Sequence, residues 1–413
     1  MHRALMLLLV LALAGACTPA SSGEEPVVLR VAMADDWASA PAVIDVVTDF
    51  EQDHPHVRVE IQDSPFSRIP DLVRSGLERD HSYDLAHWHA FAAAAADLAR
   101  PLDELWKRHG LEAEHYLDGA LQSVTWQGRR YGVPLDTNAL VMMVRTSVLD
   151  EADLSPGDLE DVDEVLDVSR RLVDAGTAPY AMLIGASSWA AYGWIRAVGG
   201  ELVHVDQATG EPRFTFDDER TIEALALRAE LVHEGLAPSP FAPDIAGEGV
   251  QLFAQGDLAI YSSGSWHLPA IARADVSPEE IEVLPLPRGE GDTGTVLGGS
   301  SLFVPVDSEH PELAFELALR LTDDEVALRL AEEEGRLPAR ASLFEHELFH
   351  DSPDLSSFVA ELPEADVMPL IAYPAVAEAF GEAIEHTLAG RQDARSAMEE
   401  VQRFAEAWLE QQG

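Results

Sequence analysis

One cysteine, one lysine and one asparagine occur in 413 residues: Cys17, Lys107 and Asn138. A single thiol excludes an internal disulfide framework and any site built on a cysteine pair. Positive charge is scarce too, with 27 Lys and Arg against 74 Asp and Glu and a formal net charge of −47. Such a field repels phosphate backbones and anionic headgroups, which argues against nucleic acid or an anionic membrane surface as partner. The acidic residues are spread along the chain and read as a solvated surface; a saline habitat or a cationic ligand would fit the same surface. Beyond the first residues no apolar run approaches the length that spans a bilayer. Also missing are a Gly-x-Ser-x-Gly elbow and a phosphate loop of the Gly-x4-Gly-Lys type. No spacing suggests the two facing carboxylates of a glycosidase.

The apolar segment Ala4 to Leu13 follows Arg3 and precedes Ala14-Gly15-Ala16, the layout of a secretory signal peptide, and is too short to cross a bilayer. Ala14-Gly15-Ala16-Cys17 resembles a bacterial lipobox, in which the cysteine is diacylated and becomes the new N-terminus; Ala14 replaces the usual leucine. Ala14 and Ala16 also satisfy the small-x-small rule for ordinary cleavage after Ala16. A lone exported cysteine has no disulfide partner, which favours lipidation of Cys17. Thr18 to Pro26 is small, polar and bounded by prolines, as a flexible tether is. The expectation is a signal peptide over 1–16, a lipidated tether over 17–26, and an extracytoplasmic protein held to the cell membrane only through that lipid.

Removing residues 1–16 leaves about 397, nearly half of them apolar, enough for two lobes with a sizeable core each. Val27 to Met33 reads as a buried strand and is followed by Val43, Val46, Val47 and Phe50 on one helix face. Val57-Arg58-Val59-Glu60-Ile61 then alternates with period two, completing a βαβ unit. Ligands of parallel sheets bind at the carboxyl ends of strands, which puts Asp35-Asp36-Trp37 and, after the strand Tyr83 to Ala86, Trp88 and His89 at ligand positions. A second α/β region begins near residue 136, with helices near 159–175, 187–198 and 218–234. Asp206 to Gly210 is a turn cluster. Thr322 to Glu325 has capping-box spacing ahead of a helix ending at Gly335. Met398, Val401, Ala405 and Trp408 form the buried stripe of a last helix.

Four segments in order carry a family resemblance. Val124-Thr-Trp-Gln-Gly-Arg-Arg-Tyr-Gly-Val-Pro134 is a glycine-turn hairpin running into a Tyr-Gly-Val-Pro crossing. Leu252-Phe-Ala-Gln-Gly-Asp-Leu-Ala-Ile-Tyr-Ser-Ser-Gly-Ser-Trp266 is the second. Leu284-Pro-Leu-Pro-Arg-Gly289 with Leu297-Gly-Gly-Ser-Ser301 is the third, and Gly335-Arg-Leu-Pro-Ala-Arg340 the fourth. The chain resembles, over about residues 27–412, the bacterial extracellular solute-binding proteins of carbohydrate-uptake ABC transporters, the group that contains maltose-binding protein. The stretch from Val367-Met-Pro369 to Gly390-Arg-Gln392 is similar to that protein's C-terminal region.

The resemblance implies an α/β, two-lobe periplasmic-binding-protein fold of type II character, with the ligand in a cleft between discontinuous lobes. Crossings would fall near Pro134, near Leu284 to Pro287, and between Gly335 and Arg340. The N-terminal lobe is then 27–134 with 286–335, and the C-terminal lobe 135–285 with 336–413. It implies a monomer that captures a carbohydrate and delivers it to ABC permease subunits, with no cofactor and no catalysis. A receptor presenting ligand to a membrane sensor would share the same pocket, and a polyamine or other small cation would fit the acidity.

A sugar presents apolar C–H faces and a rim of hydroxyls, so its site wants flat aromatics and hydrogen-bonding side chains. The resemblance places Trp266 beneath the ligand and puts Trp88, His89 and Trp37 near it. Asp136 and Asn138 lie just past the Pro134 crossing, Asn138 at the position of a sugar-bonding carboxylate in maltose-binding protein. In Ser187-Ser-Trp-Ala-Ala-Tyr-Gly-Trp194 at least one of Trp189 and Tyr192 is expected toward the cleft, with Trp194 in the core. Ser300, after two glycines, offers a hydroxyl and backbone N–H; Arg340 and Tyr373 are carried over from positions near the family's cleft. One enzyme-like motif competes: His346-Glu347-Leu348-Phe349-His350 fits H-E-x-x-H, two zinc ligands one helical turn apart. Asp351-Ser-Pro353 ends any helix just beyond it, and the third ligands on offer, Glu361 and Glu364, lie in a proline-marked stretch. A solvated helix is therefore expected there, with no metal.

Overall fold

The first strand forms where the apolar run predicts it. A computed structural model describes residues 26–79, 82–205, 211–242, 245–290 and 293–412. The signal segment, Cys17 and the Asp206–Gly210 turn lie outside the described residues. Val27–Ala34 pairs in parallel with Val57–Ser64, from Val27 opposite Val57 to Ala34 opposite Ser64. Between them, helix Pro41–Asp53 starts at a proline whose missing N–H costs nothing in the first turn, and it buries Val43 and Phe50. Leu85–Trp88 joins the other edge in parallel. Ser301–Phe303 then pairs antiparallel with both Leu85–Trp88 and Gly132–Pro134, closing a five-stranded sheet. One core covers this sheet, running from Leu29 to Leu135 and resuming at Leu302 to Val304, Phe315 and Leu330.

The other lobe holds two four-stranded sheets. Ile281–Leu284, Val141–Arg145, Leu258–Ser263 and Tyr180–Met182 form one; Leu337–Pro338, Asp136–Ala139, Thr295–Gly298 and Ala365–Val367 form the second. Helices Val165–Ala175, Ser188–Ala197, Glu219–His233, Pro374–Leu388 and Ala394–Gln412 pack their apolar faces together. Met398, Val401 and Ala405 are buried there with Trp408 against them, the stripe read from the sequence.

Three passages connect the lobes, and they are short. Only Leu135 separates Pro134 in the first sheet from Asp136 in the second lobe. Gly299 and Ser300 alone separate Gly298 from Ser301, which returns to the first sheet. Helix Asp324–Glu334 places Leu330 in the first core and ends at Gly335 (φ 64°), after which Leu337 and Pro338 pair with Thr137 and Asp136. The second passage differs from the expected Leu284–Pro287. That proline-marked run joins two sheets of one lobe, because Leu286 packs into the second core and Thr295–Gly298 still pairs with Asp136–Ala139. Gly299 makes the true passage at φ 127°, where a Cβ would lie 2.4 Å from the Asp136 carbonyl oxygen. Asp323, not Thr322, caps the helix before Gly335, accepting from the Glu325 N–H; the Thr322 hydroxyl instead donates to Ala318 at the end of the preceding helix.

Candidate functional site

Strand ends supply the site. Val27–Ala34, Leu85–Trp88 and Gly132–Pro134 run the same way, so Trp88 at the end of its strand and Trp37, His89 and Asp136 just beyond theirs lie at one end of the first sheet. In the second lobe Tyr180–Met182 and Leu258–Ser263 are parallel, and their carboxyl ends lead to Trp189 and Trp266. Gly264 is needed between strand and indole, since a Cβ there would lie 1.7 Å from the Trp266 ring.

Arg336 joins the two sets. Its guanidinium carbon lies 5.2 Å from the ring centre of Trp37 and 6.0 Å from that of Trp266, and its Nη2 is ion-paired with Asp36. Each cation–π contact of this partly desolvated kind is worth about 1 kcal/mol. Trp189 stands 5.7 Å from Trp266 and donates its Nε1–H to the Leu297 carbonyl at 3.2 Å. The Asp136 carboxylate accepts the Ser300 N–H at 2.7 Å and also the Ser300 hydroxyl. Burial raises its pKa, while Arg336 and the two Ser300 bonds pull it back.

Beside these groups stand two buried polar atoms with no partner among the described residues, Asn138 Oδ1 and His87 Nε2, whereas Thr137, between Asp136 and Asn138, turns the other way toward Leu337. The Ala34 N–H donates to His87 Nδ1 at 3.4 Å. Burial, then Arg336 and His89, hold the His87 pKa well below its ordinary value, so the neutral ring carries its proton on Nε2 and offers a donor. Trp37 and Phe66 flank that ring at 5.1 and 5.2 Å. His89 packs edge-on to Phe66 at 5.1 Å and beside Trp88 at 5.5 Å, and burial brings its pKa to about 4. His267, bonded through Nδ1 to the Ser263 hydroxyl at 2.6 Å, falls to about 4 through burial and Arg336. One donor and one acceptor left unpaired beside indoles suit a hydroxyl-rich ligand, since leaving each buried costs about 1–3 kcal/mol.

The structure thus gathers Trp37, Trp266, Trp189, Asp136 and Ser300 around Arg336. Asn138 sits against Gly298, where a Cβ would lie 2.0 Å from its Oδ1 and 3.0 Å from Trp189. Trp88 and His89 form an adjoining aromatic group with Phe66. Three expected residues have other work. Tyr192 is 4% exposed in the second core, because its helix turns that face onto its neighbours. Arg340 is ion-paired with Asp324 at 2.6 Å and lies over Tyr116. Tyr373 packs edge-on to Phe214 and Trp408 at 5.4 and 5.9 Å. His346 is the cap of a five-residue helix, Glu347–Asp351, and accepts from the Leu348 N–H, so it does not share a helical face with His350. Glu361 ends helix Pro353–Glu361 and is paired with Arg288 at 3.0 Å, and no group of three potential metal ligands exists among the described residues. Arg336, His87 and His267 escaped sequence reading, although Arg336 lies inside the quoted Gly335–Arg340 motif; Asp36 was placed with Trp37 behind the first strand.

Two α/β lobes joined by three short passages, with indoles of both lobes meeting on one arginine, define a two-lobe binding protein. The chain belongs to the bacterial extracellular solute-binding proteins, whose family profile matches residues 34–327. It is 23% identical over 352 residues to an uncharacterised ABC transporter extracellular-binding protein of Pyrococcus horikoshii, covering 83% of this chain and 80% of that one. It is 24% identical over 329 residues to a galactooligosaccharide-binding protein of Bacillus subtilis, covering 78% and 74%. In fold it is similar to the GacH receptor of Streptomyces glaucescens, solved unliganded and with acarbose, at a TM-score of 0.81, 20% identity, and coverage of 94% of this chain and 99% of that one. Among the described residues no helix is long and apolar enough to cross a membrane.

Proposed function

We propose that the protein is the extracytoplasmic substrate-binding component of an ABC transporter, capturing a sugar or oligosaccharide between its lobes and delivering it to the permease. The observation that carries this reading is the Trp37–Arg336–Trp266 stack, with the unpartnered Asn138 and His87 atoms beside it. Indole faces match the C–H faces of a pyranose, and the unpartnered atoms match its hydroxyls. The passages at Leu135, at Gly299–Ser300 and after Gly335 form the hinge. A ligand touching both lobes stabilises the closed form by its differential affinity, and the permease reads that form. The chemistry is binding, with no bond made or broken. Names of relatives support the ligand class, one for a galactooligosaccharide and one solved with acarbose. Cys17 anchors a monomer to the outer face of the cell membrane through lipid.

A thermal-shift screen of the whole protein against neutral mono- and oligosaccharides tests the reading. A ligand at about 100 times its dissociation constant adds roughly 2.7 kcal/mol to stability. A panel with no stabilising member would overturn the assignment to carbohydrates.

A further inference from the structure

Arg228 carries a charge that the protein leaves unbalanced. It lies in helix Glu219–His233, is 1% exposed, and sits against the apolar core of the second lobe. Its Nη2–H donates to the Gly185 carbonyl, while Nε and Nη1 are buried with no partner among the described residues. The two other deeply buried arginines are neutralised: Arg145 by Glu280 at 2.7 Å, and Arg196 by Asp366 at 2.8 Å. With 74 acidic residues in the chain, a missing carboxylate at Arg228 is not a matter of supply. Burial lowers the pKa of Arg228 to about 10, so the guanidinium remains charged at neutral pH. An uncompensated buried charge costs several kcal/mol, which a counter-ion from solution would offset.

We propose that Arg228 holds a small inorganic anion of the chloride type at one of its two unpaired groups, Nε or Nη1, below the segment Gly185–Ser187 whose first carbonyl it binds. That segment runs from half-buried to exposed and gives a short route to solvent. The burial of the side chain limits the occupant to a monatomic or small planar anion. The same segment leads into Ser187, whose hydroxyl accepts the Ala190 N–H at 3.2 Å and caps the helix bearing Trp189. The bound anion therefore braces the turn that sets one indole of the ligand site, although the site itself is separate and does not depend on the ligand's being a sugar.

The test uses the ligand-free whole protein at constant ionic strength, with gluconate replaced stepwise by chloride. The thermal midpoint of the wild type is expected to rise by on the order of 2 °C and saturate. Arg228→Met should abolish the rise. Equal midpoints in chloride and gluconate, or the same rise in Arg228→Met, would overturn the proposal. Bromide soaked into wild-type crystals reads the site without any variant: an anomalous peak in contact with Nε or Nη1 is expected, and its absence is equally fatal.

Discussion

Trp37 and Trp266, 229 positions apart and in different lobes, are in contact with one and the same guanidinium, that of Arg336. The span of the site is thereby fixed by side chains that leave each lobe at the carboxyl ends of its strands.

Trp266→Ala should weaken sugar binding by about 2–4 kcal/mol, the range of a central aromatic anchor, while the thermal midpoint stays near wild type. Isothermal calorimetry with a sugar found in the screen reads this directly. Unchanged affinity would remove Trp266 from the site.

Gly264→Ala isolates the position of that indole from its presence. The three atoms nearest the added methyl all belong to the Trp266 ring, the first at 1.7 Å, so the ring has to move. Binding should fall nearly as far as in Trp266→Ala, with quenching of tryptophan fluorescence by ligand reduced. A Gly264→Ala protein that binds as the wild type does would show that the ring's present position is not the binding one.

Arg336→Ala removes two cation–π contacts and an ion pair between lobes. Without ligand, the variant should have a larger radius of gyration by small-angle scattering than the wild type, which closes partly on its own arginine. Equal radii would mean that this bridge does not restrain the lobes.

Much of this was legible because the family segments keep their order and mark Trp266, and because strand-end logic points to Trp37, Trp88 and His89 without coordinates, while helix-start spacing offered Trp189 as one of a pair. Arg336 was not, since its partners lie some 70 and 300 residues away and nothing local separates it from Arg340, which is spent on Asp324. Tyr192 was misplaced because a helix rich in aromatics on every side does not say which face meets the cleft. The second passage was misread because prolines at 285 and 287 look like a crossing, whereas the strand that decides the matter, Thr295–Gly298, is only four residues long.

Acid should destabilise the protein in a definite window. The His87 pKa is well below its usual value of 6.5 in the folded state, so between the two values the unfolded chain binds a proton that the folded chain does not. Stability therefore falls as the pH drops below about 6.5, by up to about 1.4 kcal/mol per pH unit for one such group, and this contribution is flat above that pH. His89 and His267, at about 4, act in the same direction, more weakly for the surface they keep exposed. Asp136 has the opposite sign: its raised pKa means that stability declines as pH rises through the region just above 3.8. Urea midpoints measured from about pH 7 down to about pH 5 should fall steadily, and His87→Gln should flatten the slope. A wild-type slope of zero there would contradict a neutral, buried His87.

The strand Ser301–Phe303 lies inside the first sheet, between Leu85–Trp88 and Gly132–Pro134. As the ribosome works from one end, the lobe containing the first residues lacks an interior member until roughly three-quarters of the polypeptide has been made. Early docking of that sheet is thus postponed by topology alone, so the lobe that begins the chain sets late.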